Sequence, residues 1–377
     1  METSIKKNQV RVGKFFGIPV TFDFSWFLIV IFLAWILAEG YFPKEYKGWT
    51  GIEYWGVGIV TSVFFFLSVL LHEFGHSIAA KKFNYDVKGI KLFIFGGVSE
   101  ITVEPKSPKE EFLISIAGPV VSLLLGAIFY FTATAFNDKG MVYAFAHYLG
   151  WINIILGLFN LLPGFPLDGG RVFRAIVWGI TKDYKKATHW SATGGRFIGF
   201  FLIFIGFLEM MSGFVTDGIW VAFIGWFLES AAFAQLQQQE LKKLLAGHKV
   251  ADAYSRNYML VPEDITILEF FDGNNFYRNR NFFFAENKGE ITGVFTFQDL
   301  LKAPKSNWEN VKISEIITPI SDTIKISPDT PLVDALKIMD ENSFNQLPVF
   351  DNEKLIGVIS RKSLVTYLSQ LNTSSKK

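Results

Sequence analysis

The chain has 377 residues, 50% of them hydrophobic and 17% aromatic, with a net charge of +1 and no cysteine. Apolar residues gathered in long unbroken runs exclude an ordinary soluble protein, and near-neutral charge without a dense basic block gives no footing for nucleic acid. The absence of cysteine excludes disulfides and leaves His, Asp and Glu as the candidate metal ligands.

Met1 to Lys14 is charged and lacks a cleavable signal pattern, so the first apolar run is expected to stay in the protein. Six spans are expected: Phe22–Ala38, Tyr54–Ala79, Phe112–Phe136, Met141–Leu162, Gly195–Phe214 and Gly218–Leu236. Sixteen Lys and Arg flank them on one side, within Lys6–Lys14, Lys81–Lys109 and Arg171–Arg196, against Lys44, Lys47 and Lys139 on the other. The bias places the N-terminus, both long internal loops and the C-terminal half in the cytosol, for a multi-pass protein of the cell membrane.

Span two closes on His72-Glu73-Phe74-Gly75-His76. Residues four apart stack on one helix face, so His72 and His76 can aim two imidazoles at one point, and Glu73 can reach a metal-bound water as general base. A structural cluster of polar residues is the alternative, although titratable groups at membrane level are costly unless paired, hydrated or metal-bound. Val87, Ile90, Leu92 and Ile94, then Val98, Ile101 and Val103, flank Gly96-Gly97 and suggest a β-hairpin with an edge strand beside the histidines. An amphipathic connector with a Gly-Gly turn would fit the same residues. Ser107-Pro108-Lys109-Glu110 predicts a capping box opening span three, and Ala117-Gly118-Pro119 predicts close helix approach and a bend.

Span four runs into Asn160-Leu-Leu-Pro163-Gly-Phe-Pro166-Leu-Asp168-Gly169-Gly170. The prolines and glycines break regular helix, so Asp168 is expected on an irregular turn. Two His and one carboxylate would leave a fourth zinc position for water, whereas an ordinary turn aspartate is the alternative. His147 and His189 read as surface or interfacial, Arg171 as a snorkelling arginine or an anion contact, and Glu209 and Glu229 as helix-end carboxylates or a gate.

These motifs resemble the intramembrane site-2 protease family of zinc metalloproteases, over most of residues 10–240. The resemblance implies one zinc per chain on His72, His76 and Asp168, activation of water by Glu73, substrate or oxyanion contact at Asn160, and substrate contact as a strand at Gly96 and Gly97. It also implies a membrane-embedded protein substrate, such as an anti-sigma or pro-sigma factor, cut near the cytosolic face.

Residues 241–248 read as a linker, after which the chain repeats itself. Lys249-Val-Ala-Asp-Ala matches Lys312-Ile-Ser-Glu-Ile, and Gly293-Val-Phe-Thr matches Gly357-Val-Ile-Ser. The repeat predicts a paired α/β module over 249–307 and 308–371. It resembles a tandem of CBS domains, which implies adenine nucleotide (ATP or AMP) at Thr296 and Asp299. The second copy has Ser360 and Ser363 at the matching places and lacks the acid. A pair that only dimerises or anchors the enzyme is the alternative. The expected fold is thus a six-helix membrane metalloprotease with a β-hairpin and a cytosolic CBS pair. A CBS-gated channel or transporter and an inactive client-binding relative are the rival functions.

Overall fold

Asp23 marks the place where a strand becomes the first membrane helix. The computed structural model describes residues 9–94, 96–101, 105–136, 140–272, 282–342, 344–352 and 354–374. Lys6, Lys7, Val103 and Lys139, used in the sequence reading, lie outside them. The chain divides into two compact units, Met1–Gln239 and Glu240–Lys377.

In the first unit, β1 (Gln9–Phe15) and β2 (Ile18–Asp23) form a hairpin that the sequence reading did not foresee. The Asp23 side chain then caps α1 (Phe24–Trp35) by accepting from the Ser25 N–H. A wide turn, Ile36–Tyr41, carries the helix into α2 (Phe42–Glu45). A Thr50/Glu53 capping box opens α3 (Gly51–Lys82). The expected hairpin is present as β3 (Val87–Phe93) and β4 (Gly96–Ile101), but it is half of a four-stranded sheet ordered β1-β2-β3-β4. β2 and β3 run parallel, and the other pairs are antiparallel. Gly96 and Gly97 are not the turn: they pair with Phe93 and Leu92 as the first residues of the outer strand. Ile18, Val20, Val87 and Ile90 pack one sheet face on Phe74 and Ala80 of α3, which fastens the sheet to the helix that carries both histidines.

α4 (Pro108–Thr134) begins at Ser107, whose hydroxyl accepts from the Glu110 N–H. The predicted capping box is only half formed, because the Glu110 carboxylate accepts instead from the Tyr85 hydroxyl at 2.5 Å and from the Lys106 N–H. α5 (Met141–Asn160) follows, then an amphipathic helix, α6 (Asp168–Thr181), in a stretch read from sequence as loop. α7 (Tyr184–Met211) starts eleven residues before the expected Gly195, capped by Asp183, and α8 (Val215–Leu245) runs beyond the expected Leu236. Hydropathy marks only the apolar part of a helix, so polar turns at either end escape it. Among the described residues, six helical segments, Phe24–Glu45, α3, α4, α5, α7 and α8, are long and apolar enough to cross a membrane. α7 and α8 meet backbone to backbone: a Cβ on Gly206 would lie 2.4 Å from the Gly218 carbonyl, and one on Gly225 2.6 Å from that of Gly199.

The second unit contains α9 (Val250–Ala253), β5 (Leu260–Pro262), α10 (Ile267–Asp272), β6 (Phe282–Asn287), β7 (Glu290–Thr296), α11 (Phe297–Leu300), β8 (Thr318–Pro319), α12 (Leu332–Glu341), β9 (Gln346–Asp351), β10 (Lys354–Ser360) and α13 (Arg361–Ser374). The antiparallel pairs β6–β7 and β9–β10 occupy equivalent places in the two repeats. Their cores are exchanged at the edges. Leu245 and Val250, ahead of the first repeat's sheet, are buried with Leu332, Met339, Val349 and Ile359 of the second. Ile313, which opens the second repeat, is buried with Val261, Phe270 and Phe283 of the first. Bridges Lys249–Pro331 and Thr266–Lys312 close the same exchange on the backbone.

Candidate metal centre and active site

α3 stacks His72 and His76 on one face, each buried to 5% exposure, with their Nε2 atoms 3.2 Å apart. Asp168 is the first residue of α6 rather than part of a turn, so its carboxylate sits at a helix N-terminus. Its Oδ2 lies 3.0 Å from His72 Nε2 and 3.2 Å from His76 Nε2. The two distant motifs therefore meet in a nearly equilateral triangle of ligand atoms. Tetrahedral zinc with bonds of 2.0–2.1 Å separates its ligands by about 3.3 Å, so the triangle has the right size.

The donor chemistry agrees with the geometry. His76 Nδ1 lies 2.7 Å from the Ile114 carbonyl, which can only accept, so Nδ1 carries the hydrogen and Nε2 presents a lone pair. His72 Nδ1 lies 2.9 Å from the Ser122 hydroxyl, a partner that can hold the same tautomer. With both imidazoles in this tautomer, two nitrogen lone pairs and a carboxylate oxygen converge on one point. Such a set would ligate a divalent cation at its centre, and zinc suits N and O donors.

Close packing makes room for this cluster. A Cβ on Gly118 of α4 would lie 2.2 Å from His76 Nε2 and 2.7 Å from His72 Nε2. The turn before Asp168 is equally tight: a Cβ on Gly169 would meet the Leu161 carbonyl carbon at 2.2 Å, and one on Gly164 the Gly195 Cα at 2.4 Å. Ser191 of α7 pins both ends of that turn, accepting from the Phe165 N–H and donating from its hydroxyl to the Gly170 carbonyl. One helical turn and a half further on, Arg174 is buried and paired with Glu111 of α4, its guanidinium 4.9 Å from the Phe165 ring centre and 4.8 Å from that of Tyr184. Arg174 was counted with the flanking surface charges. Its burial corrects that reading and ties α6 to the helix that holds His76.

Glu73 follows His72 on α3 and faces β4. Its Oε2 accepts from the Ser99 hydroxyl at 2.7 Å, and a Cβ on Gly97 would lie 2.6 Å from its Cγ. Gly97 is thus brought to the site, whereas Gly96 has open space and a φ of +122°. Asn160 ends α5 half-buried and makes no hydrogen bond to His72, Glu73, His76 or Asp168. His189 is exposed, and His147 stacks on Tyr143. Glu229 pairs with Arg196 at 2.8 Å, a tie between α8 and α7. Ser99, Ser122, Glu111 and the Ile114 carbonyl were missed from the sequence because serine, a helix-start glutamate and a backbone carbonyl carry no metal-site signature.

In the second unit, Thr296 and Asp299 bond each other: the Asp299 Oδ2 accepts from the Thr296 N–H and hydroxyl, capping α11. Ser360 and Ser363 reproduce this cap in the second repeat, with a serine hydroxyl in place of the acid.

A protein from Synechocystis sp. and one from Mycobacterium tuberculosis, named "Putative zinc metalloprotease" sll0528 and Rip3, align with nearly the whole chain. The first is 30% identical over 364 residues, 96% of each chain; the second is 32% identical over 337 residues, 88% of this chain and 86% of its own. The model of "Peptidase family M50" matches residues 60–138 and 135–206. The chain belongs to peptidase family M50, the site-2 proteases. This M50 chain is a zinc-dependent protease with a polytopic membrane domain. A CBS-domain model matches residues 313–370. The solved site-2 protease of Methanocaldococcus jannaschii is 29% identical, with a TM-score of 0.43, covering 60% of this chain and 94% of that one.

Proposed function

We propose that this M50 protease cuts membrane-embedded regulatory proteins, such as an anti-sigma or pro-sigma factor, near the cytosolic face, with one zinc on His72, His76 and Asp168. The observation that carries the ligand set is the convergence of two Nε2 atoms and one carboxylate oxygen from α3 and α6 within 3.0–3.2 Å. Zinc held by these three residues would lower the pKa of bound water and polarise the scissile carbonyl. Glu73 takes the proton of the attacking water and returns it to the leaving amide nitrogen. A substrate helix must unwind before its peptide bond is open to attack. β4, the outer strand of the sheet, offers backbone N–H and C=O groups to the released segment by strand addition, beginning at Gly96 and Gly97. Asn160, at the mouth of the turn leading to Asp168, is assigned to the substrate or its oxyanion. The charge bias places both termini on the cytosolic side of the cell membrane.

For the second unit we propose an adenine-nucleotide site at Thr296 and Asp299 that regulates proteolysis, with dimerisation through the CBS pair as its structural setting. The Thr-x-x-Asp arrangement of the first copy supports it, next to a second copy that matches the CBS model over residues 313–370. Calorimetry with ATP and AMP on full-length protein, wild type beside Asp299→Asn, tests it; no heat from either ligand at millimolar concentration refutes it.

Zinc content of detergent-purified full-length protein tests the metal site. About one zinc per chain in wild type, lost in both His72→Ala and Asp168→Ala, is the expected result. Zinc retained without Asp168 would break the ligand set. Glu73→Gln should keep the zinc and lose cleavage of a fluorogenic transmembrane peptide.

A further inference from the structure

Ser99 sits where the outer strand touches the catalytic helix, and no metal or substrate requirement explains its contacts. Along β4 the side chains alternate. Val98 is about half exposed, and Glu100 reaches away to pair with Lys91. Gly97 and Ser99 face α3. Both of these inward positions are matched to Glu73: Gly97 leaves the space its Cγ occupies, and Ser99 donates to its carboxylate. The same hydroxyl lies 3.0 Å from the Glu73 carbonyl and 3.1 Å from the Ser77 Oγ, which donates to it. Ser77 is one turn beyond Glu73 on α3 and fully buried, so the chain Ser77–Ser99–Glu73 ties one side-chain rotamer of Glu73 to the strand.

We infer that Ser99 is a positioning residue for Glu73, and that it links the seating of a substrate strand on β4 to the alignment of the base. The inference rests on the reading of Glu73 as the base. An ionised carboxylate has two acceptor oxygens and no donor. Ser99 engages Oε2, so the other oxygen is left to address water. A glutamate has three rotatable side-chain bonds, and without this tie its carboxylate would populate several rotamers beside the metal. A substrate that extends the sheet at β4 stiffens the strand that carries the hydroxyl, so docking and base alignment become one event.

The test uses full-length protein and a quenched fluorogenic single-span peptide in detergent, with zinc content measured in parallel. Ser99→Ala keeps the β4 backbone, so it should leave zinc content and KM unchanged and lower kcat about ten- to hundredfold. Ser99→Thr keeps the hydroxyl in a residue suited to a strand and should restore most of the rate. An unchanged kcat in Ser99→Ala, a change confined to KM, loss of zinc, or failure of Thr to rescue would each overturn the inference. Full activity in Glu73→Gln would instead sink the base assignment, which separates the two failures. A second readout needs no substrate. An infrared carboxylate stretch of Glu73, compared between wild type and Ser99→Ala, should shift when the Ser99 hydrogen bond is lost, and an unshifted band would overturn the contact.

Discussion

Gly118→Ala is the sharpest test of the candidate metal centre. A methyl group at this position would lie 2.2 Å from His76 Nε2, 2.6 Å from His76 Cε1 and 2.7 Å from His72 Nε2. Ordinary contact begins near 3.4 Å, so the added carbon overlaps both imidazoles, one of them by more than an ångström. The obstruction is at the metal-facing nitrogens, and His76 is held from behind by the Ile114 carbonyl. Relief by moving α4 would require opening a helix pair already in backbone contact, since a Cβ on Gly75 would lie 2.9 Å from the Ala117 carbonyl. Overpacking of this kind costs about 1–3 kcal/mol, but turning the imidazoles away costs the ligand set itself. Displacing outer partners of a ligand typically weakens metal binding about 10- to 100-fold, so displacing the ligands should exceed about 100-fold. Zinc per chain, measured after dialysis against a zinc buffer, reads the effect directly. Gly56→Ala on α3 is the control, because nothing lies within 4 Å of its Cβ, and that variant should bind zinc as wild type does. Wild-type zinc affinity in Gly118→Ala would refute the assignment of the histidine Nε2 atoms as ligands.

Three further outcomes follow from the same geometry. Ser122→Ala removes the partner of His72 Nδ1 and should weaken zinc about 10- to 100-fold while sparing the fold, read by competition with a chromophoric chelator. Arg174→Met leaves the Glu111 carboxylate buried and unpaired and should cost about 3–5 kcal/mol, with Glu111→Met/Arg174→Met restoring much of the loss; denaturation in detergent micelles would show it, and additive losses would refute it. Burial raises the Asp299 pKa, but hydrogen bonds from Lys302 and Thr296 prevail and hold it below the usual value. The stabilisation from this cap is complete above the ordinary aspartate pKa of about 4 and is lost as pH falls through the lower folded value. Asp299→Asn should therefore flatten the acid limb of the melting profile of the 240–377 unit, and an unaltered acid limb would contradict it.

The legible parts of the sequence were those written in strong residue types. Six apolar runs, the His72/His76 pair and the Thr296/Ser360 repeat need no tertiary context, because hydropathy, helical spacing and self-similarity are properties of the chain itself. The β1–β2 hairpin was passed over although Val10/Val12 and Ile18/Val20/Phe22 alternate, because the two strands are short, β1 is mostly exposed, and Phe22 reads as the start of the first apolar run. α6 was hidden by the glycines at its start. Gly169 and Gly170 read as a loop signal, whereas their role is close approach to the backbone at Leu161 and Gly164. Asp168 was found as a residue and mistaken as to its setting. The exchange of core residues between the two repeats leaves no local trace either, because Val250 and Ile313 are ordinary apolar residues until the fold pairs each with the other copy.

The helix that frames the site donates no ligand to it. α4 holds His76 through the Ile114 carbonyl, meets His72 through Ser122, clears both rings at Gly118 and fixes α6 through Glu111. These four positions fall at intervals of three or four residues, 111, 114, 118 and 122, which is one stripe along a helix face. Each contribution is a carbonyl, a hydroxyl, a missing side chain or a buried charge, and none announces metal chemistry by itself. A ligand triangle with sides of 3.0–3.2 Å needs its three atoms fixed to a few tenths of an ångström. α3 alone can fix two of them relative to each other, but only a third element touching both α3 and α6 can fix the carboxylate against the imidazoles. α4 is that element, and the spacing of its stripe is what turns two distant motifs into one site.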